Sequence, residues 1–179
     1  MKIASLEDLY VEELKDLYNA ESQIVKALPK LAKAATAPEL QEAFQEHLEQ
    51  TRGQVDRLDQ IFERRGRNPG RKKCTGMQGI IEEGKDLLDA EAEPAVLDAG
   101  LIAAAQKVEH YEIAGYGCAK TFAAMLGHDD EVSLLEQSLA EEKQTDKRLT
   151  ELAENMVNVE ALETAGAGGE SEVRSGRMR

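Results

Sequence analysis

The sequence contains no tryptophan, only 4% aromatic residues, four prolines and two cysteines among its 179 residues. The cysteines, Cys74 and Cys118, are too few for a disulfide framework and match no zinc spacing, so a reducing, cytoplasmic compartment is expected. No stretch approaches the roughly 18 apolar residues of a membrane-spanning helix, and the first residues lack a basic region followed by an apolar segment. Transmembrane and secreted classes are therefore disfavoured.

Positive charge is also scarce. Lysine and arginine number 22 against 35 aspartates and glutamates, a net charge of −13 that repels DNA phosphates and anionic membranes. The one basic cluster, between Arg64 and Lys73, lies in a stretch with glycine and proline and has no interleaved aromatic residues. We interpret it as a solvated loop and expect no nucleic-acid partner and no membrane partner.

What the sequence does contain is helical periodicity. Apolar residues recur at spacings of three and four almost throughout, and no segment alternates as a strand would. The first long helix is predicted to follow Ser5, and Thr36 with Glu39 predicts the start of the second. The third is predicted to open at Glu93-Pro94, and Gly127-His128-Asp129 is predicted to be a tight turn before the fourth. The sequence thus predicts two helical hairpins.

The segment that joins these hairpins is long, roughly 28 residues, and Thr75 with Gln78 resembles the capping box of a short extra helix within it. Two hairpins joined by one long crossover are typical of the ferritin-like antiparallel four-helix bundle, an all-α fold. Residues 1–159 are expected to form this bundle, and residues 160–179 a disordered tail.

Several polar residues occupy helical positions where the pattern requires apolar ones. Counting from the hairpin turns places the acids at one level in the middle of the bundle, whereas His47 falls roughly 5 to 6 Å away from that level. The inward polar positions are Glu21, His47, Gln50, Gln54, Glu109, Glu112, Glu142 and Asp146.

A single inward acid is more often an ordinary core residue, but several at one level cannot all ionise without a cation. Carboxylate ligands with little nitrogen and no thiolate suit iron or manganese. Glu109 and Glu112 lie on one side of one helix, as two metals about 3.5 to 4 Å apart require. Tyr18 and Tyr116 are interpreted as half-buried core tyrosines, with hydrogen bonding to a ligand as the alternative.

Three segments carry a family resemblance: Gln106-Lys-Val-Glu-His-Tyr-Glu-Ile-Ala114, Glu141-Glu-Lys-Gln-Thr-Asp-Lys-Arg-Leu149 and His47-Leu-Glu-Gln-Thr51. Over residues 3 to about 158 the chain resembles the YciE/YciF family of ferritin-like bacterial stress proteins. The resemblance implies a rubrerythrin-like bundle with an extra short helix, a di-iron site, dimerisation, and cytoplasmic expression under osmotic or oxidative stress.

The resemblance also implies ligand roles. Glu21, Glu109, Glu112 and Glu142 match the family's inward acids. The second helix departs from the ferritin and rubrerythrin pattern, since Gln50 and Gln54 stand where a Glu-x-x-His pair is expected. A neutral amide is a weaker ligand than a carboxylate, so the second metal is expected to be loosely held or absent.

The resulting functional hypothesis is a di-iron protein that oxidises Fe(II) with peroxide or dioxygen, with two irons per chain, manganese as the alternative metal, and a homodimer as the assembly. Glu21 and Glu142 are the expected terminal ligands, and Glu109 and Glu112 terminal or bridging ones. The site is completed by Asp146, His47, Gln50 or Gln54. Two alternatives stay open: a non-enzymatic stress protein acting through dimer or partner contacts, and peroxide disproportionation of the manganese catalase type.

Overall fold

A computed structural model describes residues 3–164 of the chain, and within them the fold is entirely helical. Four long helices form the bundle and a short one crosses between the two hairpins, as the sequence predicts. The helices are α1 (Leu6–Ala34), α2 (Pro38–Arg64), α3 (Thr75–Leu88), α4 (Pro94–Leu126) and α5 (Asp129–Leu152), the last continued by a π-helical turn at Ala153–Val157. Helices α1 and α2 pack as one hairpin, α4 and α5 as the other, and α3 lies against α1 and α4.

Three helix ends follow the local sequence signals. The Ser5 hydroxyl accepts a 3.0 Å hydrogen bond from the backbone N–H of Asp8 and caps α1. Pro94 stands in the first turn of α4, where its missing N–H leaves no helical hydrogen bond unmade. Gly127 ends α4 in a left-handed conformation with φ of 76°, which glycine adopts without steric cost.

The start of α2 is within one residue of the prediction, but the predicted cap does not form. The helix begins at Pro38, and Thr36 does not cap it. Instead, the carboxylate of Asp98, near the start of α4, accepts hydrogen bonds from the Thr36 hydroxyl and from the backbone N–H groups of Thr36 and Ala37, at 2.7 to 2.8 Å. An acid 62 residues away in sequence thus accepts from backbone donors of the turn before α2, and it holds the α1–α2 turn beside the start of α4.

The predicted capping box at Thr75 and Gln78 is also wrong by one residue. Helix α3 already includes Thr75, and the Cys74 sulfur accepts a 3.4 Å hydrogen bond from the backbone N–H of Met77. The backbone of Cys74 is tied to α1, since its N–H donates to Asn19 Oδ1 at 2.8 Å and its carbonyl accepts from Gln23 Nε2 at 3.0 Å. These bonds fix the entry of the crossover against the first helix.

The last helical segment continues to Thr164, five residues beyond the predicted end of the bundle at residue 159. Its residues, among them Ala161, Leu162 and Glu163, are strong helix formers, which extends the helix where no core contact requires it. The rest of the predicted tail, residues 165–179, lies outside the described residues. None of the helices within 3–164 combines the length and the apolarity needed to cross a membrane.

The bundle interior consists of two apolar clusters separated by a polar layer. One cluster includes Ile24, Phe44, Leu101 and Leu149, and lies toward the α1–α2 turn. The other includes Tyr10, Leu14, Leu58, Phe62 and Leu135, and lies toward the α4–α5 turn. Each bundle helix passes from one cluster to the other through inward polar residues, which is where the candidate site forms.

Candidate metal centre

Five buried polar side chains, contributed by all four bundle helices, make up the layer between the apolar clusters. Their burial is nearly complete: the glutamates are 0% exposed and the histidine is 3% exposed. They are Glu21 from α1, His47 from α2, Glu109 and Glu112 from α4, and Glu142 from α5. All five are among the residues that the sequence singled out.

Four of these side chains converge on one point. His47, Glu109, Glu112 and Glu142 each offer one ligand atom, and these atoms lie within 4.8 Å of one another. The fifth, Glu21, adjoins Glu112. A set of this size and spacing matches one cation or a pair of cations separated by about 3.5 to 4 Å.

His47 lies closer to the other candidate ligands than the sequence predicted. Its Nε2 lies 3.1 Å from Glu109 Oε1, although counting from the hairpin turns put it about one helical turn off level. The hydrogen bonds between Thr36 and Asp98 explain the difference, because they set these two residues side by side. His47 lies eleven residues after Thr36 (47 − 36), and Glu109 eleven after Asp98 (109 − 98), so the two descend the bundle together.

Most polar atoms of the layer have no hydrogen-bond partner in the protein. Both oxygens of Glu109, both oxygens of Glu112 and both ring nitrogens of His47 are buried without one, as is one oxygen each of Glu21 and Glu142. The 3.1 Å contact between His47 Nε2 and Glu109 Oε1 is within ion-pair distance but does not have the geometry of a hydrogen bond. Buried polar groups in folded proteins are nearly always paired, so a whole layer of unpaired ligand atoms is exceptional. Oxygen with one nitrogen is the donor set that iron and manganese accept, and the residues therefore fit a bound metal.

Burial also acts on the protonation of these acids. It is the main cause that raises the pKa of Glu21 to about 8, with the negative charge of Glu142 adding to it. Burial likewise raises the pKa of Glu109 to about 8 and those of Glu112 and Glu142 well above their usual range. A bound cation would allow the acids to be ionised together, because it supplies the opposite charge that the layer lacks.

Two further side chains orient the acids. Tyr116 is fully buried and not half-buried as expected, and its hydroxyl donates a hydrogen bond to Oε1 of the candidate ligand Glu21. Gln54 Nε2 donates to Glu142 Oε1 and, at 3.2 Å, to Glu141 Oε2. Gln54 thus reaches the layer as a donor to a candidate ligand, with its amide oxygen unpaired. Tyr18 is half-buried on α1 and packs edge-on against Phe62.

Two predicted ligands, Gln50 and Asp146, are not brought to the layer. Gln50 Oε1 accepts a 3.1 Å hydrogen bond from Thr145, and Asp146 is 24% exposed and lies 3.3 Å from the exposed His110. Each stands about one turn from an inward residue, and the accumulated rotation of a 3.6-residue helix carries it to the bundle margin. The prediction that they complete the ligand set is therefore not supported.

The fold and the layer together define an antiparallel four-helix bundle with a buried glutamate and histidine centre, the arrangement of ferritin-like carboxylate proteins. Residues 5–162 match the family described as a domain of unknown function, DUF892, and the chain belongs to that family. It is 46% identical over 162 residues to protein YciF of Escherichia coli strain K12, spanning 90% of this chain and 98% of that protein. The predicted YciF family membership is confirmed.

Solved structures agree with this assignment. The crystal structure of the E. coli stress protein YciF superposes with a TM-score of 0.84 at 46% identity, covering 87% of this chain and 99% of that one. YcfI of Rhodopseudomonas palustris, provisionally described as a structural protein, superposes with a TM-score of 0.81 at 44% identity, covering 83% and 95%. A protein of Xanthomonas campestris at 20% identity shares the fold, with a TM-score of 0.72 over 91% of this chain and 99% of that one.

Proposed function

We propose that this protein is a di-iron stress protein that oxidises Fe(II) with hydrogen peroxide or dioxygen at the mid-bundle layer. The observation that carries the proposal is the layer of buried carboxylate oxygens and imidazole nitrogens without hydrogen-bond partners. An ordinary polar core would pair these atoms, whereas a metal centre leaves them free for the metal.

The ligand set follows from the positions of the side chains. Glu109 and Glu112 of α4, together with His47 and Glu142, would hold the ions, and Glu21, which adjoins Glu112, would complete the set. Ferritin-like sites contain two histidines from two helices, but here α2 supplies His47 and the neutral Gln54. We therefore infer that one of the two ions is bound more weakly.

The reaction consumes Fe(II) as substrate. Two Fe(II) each lose one electron, one hydrogen peroxide accepts both electrons together with two protons, and two water molecules and two Fe(III) result. Tyr116 holds Glu21 in place during this change, and Gln54 holds Glu142. The apolar clusters above and below shield the layer from water along the bundle axis.

The test compares the wild-type chain with the Glu109→Gln/Glu112→Gln variant. Equilibrium Fe(II) and Mn(II) binding, and stopped-flow absorbance after a peroxide pulse, are measured on both. About two irons per wild-type chain with rapid oxidation are expected, and the variant should lose both. The control variant, Glu42→Gln/Glu49→Gln, removes the same charge at exposed positions and should behave as wild type.

Unchanged Fe(II) oxidation in a double variant that keeps its helical circular dichroism would contradict the proposal. Oxygen release from peroxide with manganese, but not with iron, would instead indicate the manganese catalase type of reaction.

A second candidate is a non-enzymatic stress protein in which a metal only stabilises the bundle. The observation that favours it is the weak contribution of α2, where an amide stands in place of an acid. The provisional description of the Rhodopseudomonas relative agrees with it. Metal binding without oxidation by either peroxide or dioxygen would favour this second function.

A further inference from the structure

A cavity of about 240 Å³ lies between α1, α3 and α4, on the side of the bundle that the crossover covers. Its walls are mainly aliphatic and come from all three helices: Ile24, Leu28, Ile80, Ile81, Leu88 and Val108. Small residues leave this volume open, since Ala27, Gly84, Ala104 and Ala105 also line it. Such a space fits an aliphatic ligand and offers few hydrogen bonds to a polar one.

The inner end of the cavity is the metal layer. Among its lining residues are His47 and Glu109, which are almost fully buried and carry unpaired polar atoms. The cavity therefore leads from the protein surface to the layer, and a molecule lying in it has one end beside these two candidate ligands.

The outer rim is positively charged, in contrast to the protein as a whole. Lys26, Lys30 and Lys85 line the cavity at exposed positions, and the lining contains one acid, Glu109, at the buried end. Lys26 and Lys30, one turn apart on α1, form no ion pair within 4.0 Å among residues 3–164, while Lys85 has a pair at 3.8 Å with Glu82. A rim of this charge repels Fe(II) and attracts an anionic head group.

The length of the cavity limits the ligand. Its lining on α1 runs from Gln23 to Leu31, which spans about 12 Å at 1.5 Å per residue. An extended chain advances roughly 1.2 Å per bond, so about ten carbons fit between the rim and the layer.

We propose that this cavity binds a medium-chain fatty carboxylate, with the carboxylate at Lys26, Lys30 and Lys85 and the end of the chain beside His47 and Glu109. The site goes beyond the proposed iron oxidation and does not depend on it, because every contact of the fatty acid is with protein side chains. A lysine rim around an aliphatic wall complements a carboxylate joined to an alkyl chain, and the aliphatic wall does not suit a hydrophilic metabolite.

The test is calorimetric titration of decanoate into the full-length, metal-free protein, below the concentration at which decanoate aggregates. One saturable site per chain is expected. Ala27→Phe, which fills the cavity from a partly exposed position, and Lys26→Gln/Lys30→Gln, which removes rim charge, should each weaken binding about tenfold or more. Lys143→Gln/Lys147→Gln, which removes two exposed lysines of α5, is the matched control and should not weaken it.

A second measurement does not depend on the variants. The methyl NMR signals of Ile80, Ile81, Leu88 and Val108 should shift on decanoate addition, while those of Leu14 and Leu58 in the other apolar cluster should not. Decan-1-ol, which lacks the charge, should bind more weakly than decanoate.

Absent or non-saturable binding, or equal binding to the cavity, rim and control variants, would overturn the proposal. Equal affinity for decanoate and decan-1-ol would overturn the assignment of a carboxylate. Since all these measurements use metal-free protein, their failure would leave Fe(II) binding and oxidation untouched, and failure of the iron chemistry would leave them untouched in turn.

Discussion

Two groups of acids in the bundle, one around Glu131 and one in the mid-bundle layer, have opposite surroundings. Near the α4–α5 turn, the Glu131 carboxylate accepts hydrogen bonds from Arg65 Nη1, at 2.8 and 3.0 Å, and from the Tyr10 hydroxyl, at 2.7 Å. Arg65 also forms an ion pair with Glu7. The guanidinium lies 5.0 Å from the centre of the Tyr10 ring. In the middle of the bundle, four fully buried glutamates adjoin one another and His47, and none of them forms an ion pair with a lysine or arginine among residues 3–164.

The difference distinguishes a structural ion cluster from a metal centre. A buried acid with an arginine partner already has its counter-charge, and a metal would have to displace that partner. Among residues 3–164, the four acids of the layer share a single basic neighbour, His47, so most of their charge has no partner in the protein, and a cation binds without displacing an arginine. Both groups lie on inward helix faces, so an inward position does not distinguish them. The side chains that surround the acids do, and they mark the mid-bundle layer as the candidate metal centre.

The largest expected contrast is in the pH dependence of stability. An unfolded glutamate titrates near 4.5, whereas the pKa values of buried Glu21 and Glu109 are about 8. Between these values the native metal-free protein holds more protons than the unfolded chain, so its stability falls as pH rises, by several kcal/mol in total. With Fe(II) or Mn(II) bound the slope should reverse, since metal ions displace these protons more easily at higher pH.

Urea unfolding at about pH 5, 6.5 and 8, with chelator and with metal, measures both slopes. The variant Glu21→Gln/Glu109→Gln serves as the control, because it removes two of the four acids with raised pKa values and should make the metal-free slope smaller. If the metal-free wild type became more stable over this range, its acids would be paired like Glu131, and the distinction between the two groups would fail.

The next largest effect on stability is expected in the group around Glu131, near the α4–α5 turn. Arg65→Met should destabilise the protein by about 3 kcal/mol, because it leaves Glu131 buried without its counter-charge. Adding Glu131→Gln to Arg65→Met should recover much of that loss. By contrast, Glu112→Gln in the metal-free protein at pH 8 should change stability little or increase it. Chemical unfolding of these three variants and the wild type checks the pattern, and a costly Glu112→Gln would contradict it.

Much of the bundle follows from local sequence. The Ser5 cap, the Pro94 start and the Gly127 end are set by residues within a turn of each boundary, and helical phase alone places four acids inside. The contact that holds the α1–α2 turn could not be predicted in this way, since Asp98 is far away in sequence.

The candidate site shows the same division. Helical periodicity predicted which side chains point inward, but it could not predict how far each of the four helices is shifted along the bundle axis. Counting residues from separate turns put His47 off level, whereas the contact between α4 and the α1–α2 turn brings it to Glu109. Gln50 and Asp146 were predicted from similar phase and lie at the margin. The cavity has no signal in sequence, because it depends on how α3 packs.

A smaller effect on stability is expected at Asp98. This buried acid accepts hydrogen bonds from backbone N–H groups and has neither a cation nor an arginine as its partner among residues 3–164. Asp98→Ala removes three hydrogen bonds at the start of α2 and should cost about 2 kcal/mol. Those bonds also fix the position of α2 along the bundle axis relative to α4, which brings His47 beside Glu109. The variant should therefore move His47 and weaken metal binding. Thermal unfolding and equilibrium Mn(II) titration measure the two effects, with Asp89→Ala, at the exposed end of α3, as the control. Loss of stability with unchanged metal affinity would show that the relative position of α2 and α4 does not depend on Asp98.

The smallest changes in stability are expected from a matched pair of tyrosines. Tyr10 and Tyr116 are both fully buried, and each donates its hydroxyl to a carboxylate, Glu131 in one group and Glu21 in the other. Replacing either with phenylalanine should cost about 1 kcal/mol, because one hydrogen bond is lost and the ring is kept. Their effects on metal binding should differ: Tyr116→Phe frees a candidate ligand to move and should weaken Mn(II) binding or alter the Fe(III) spectrum, whereas Tyr10→Phe should do neither. If both variants bound metal as the wild type does, Glu21 would not belong to the ligand set, and the centre would reduce to the four side chains that converge around Glu109.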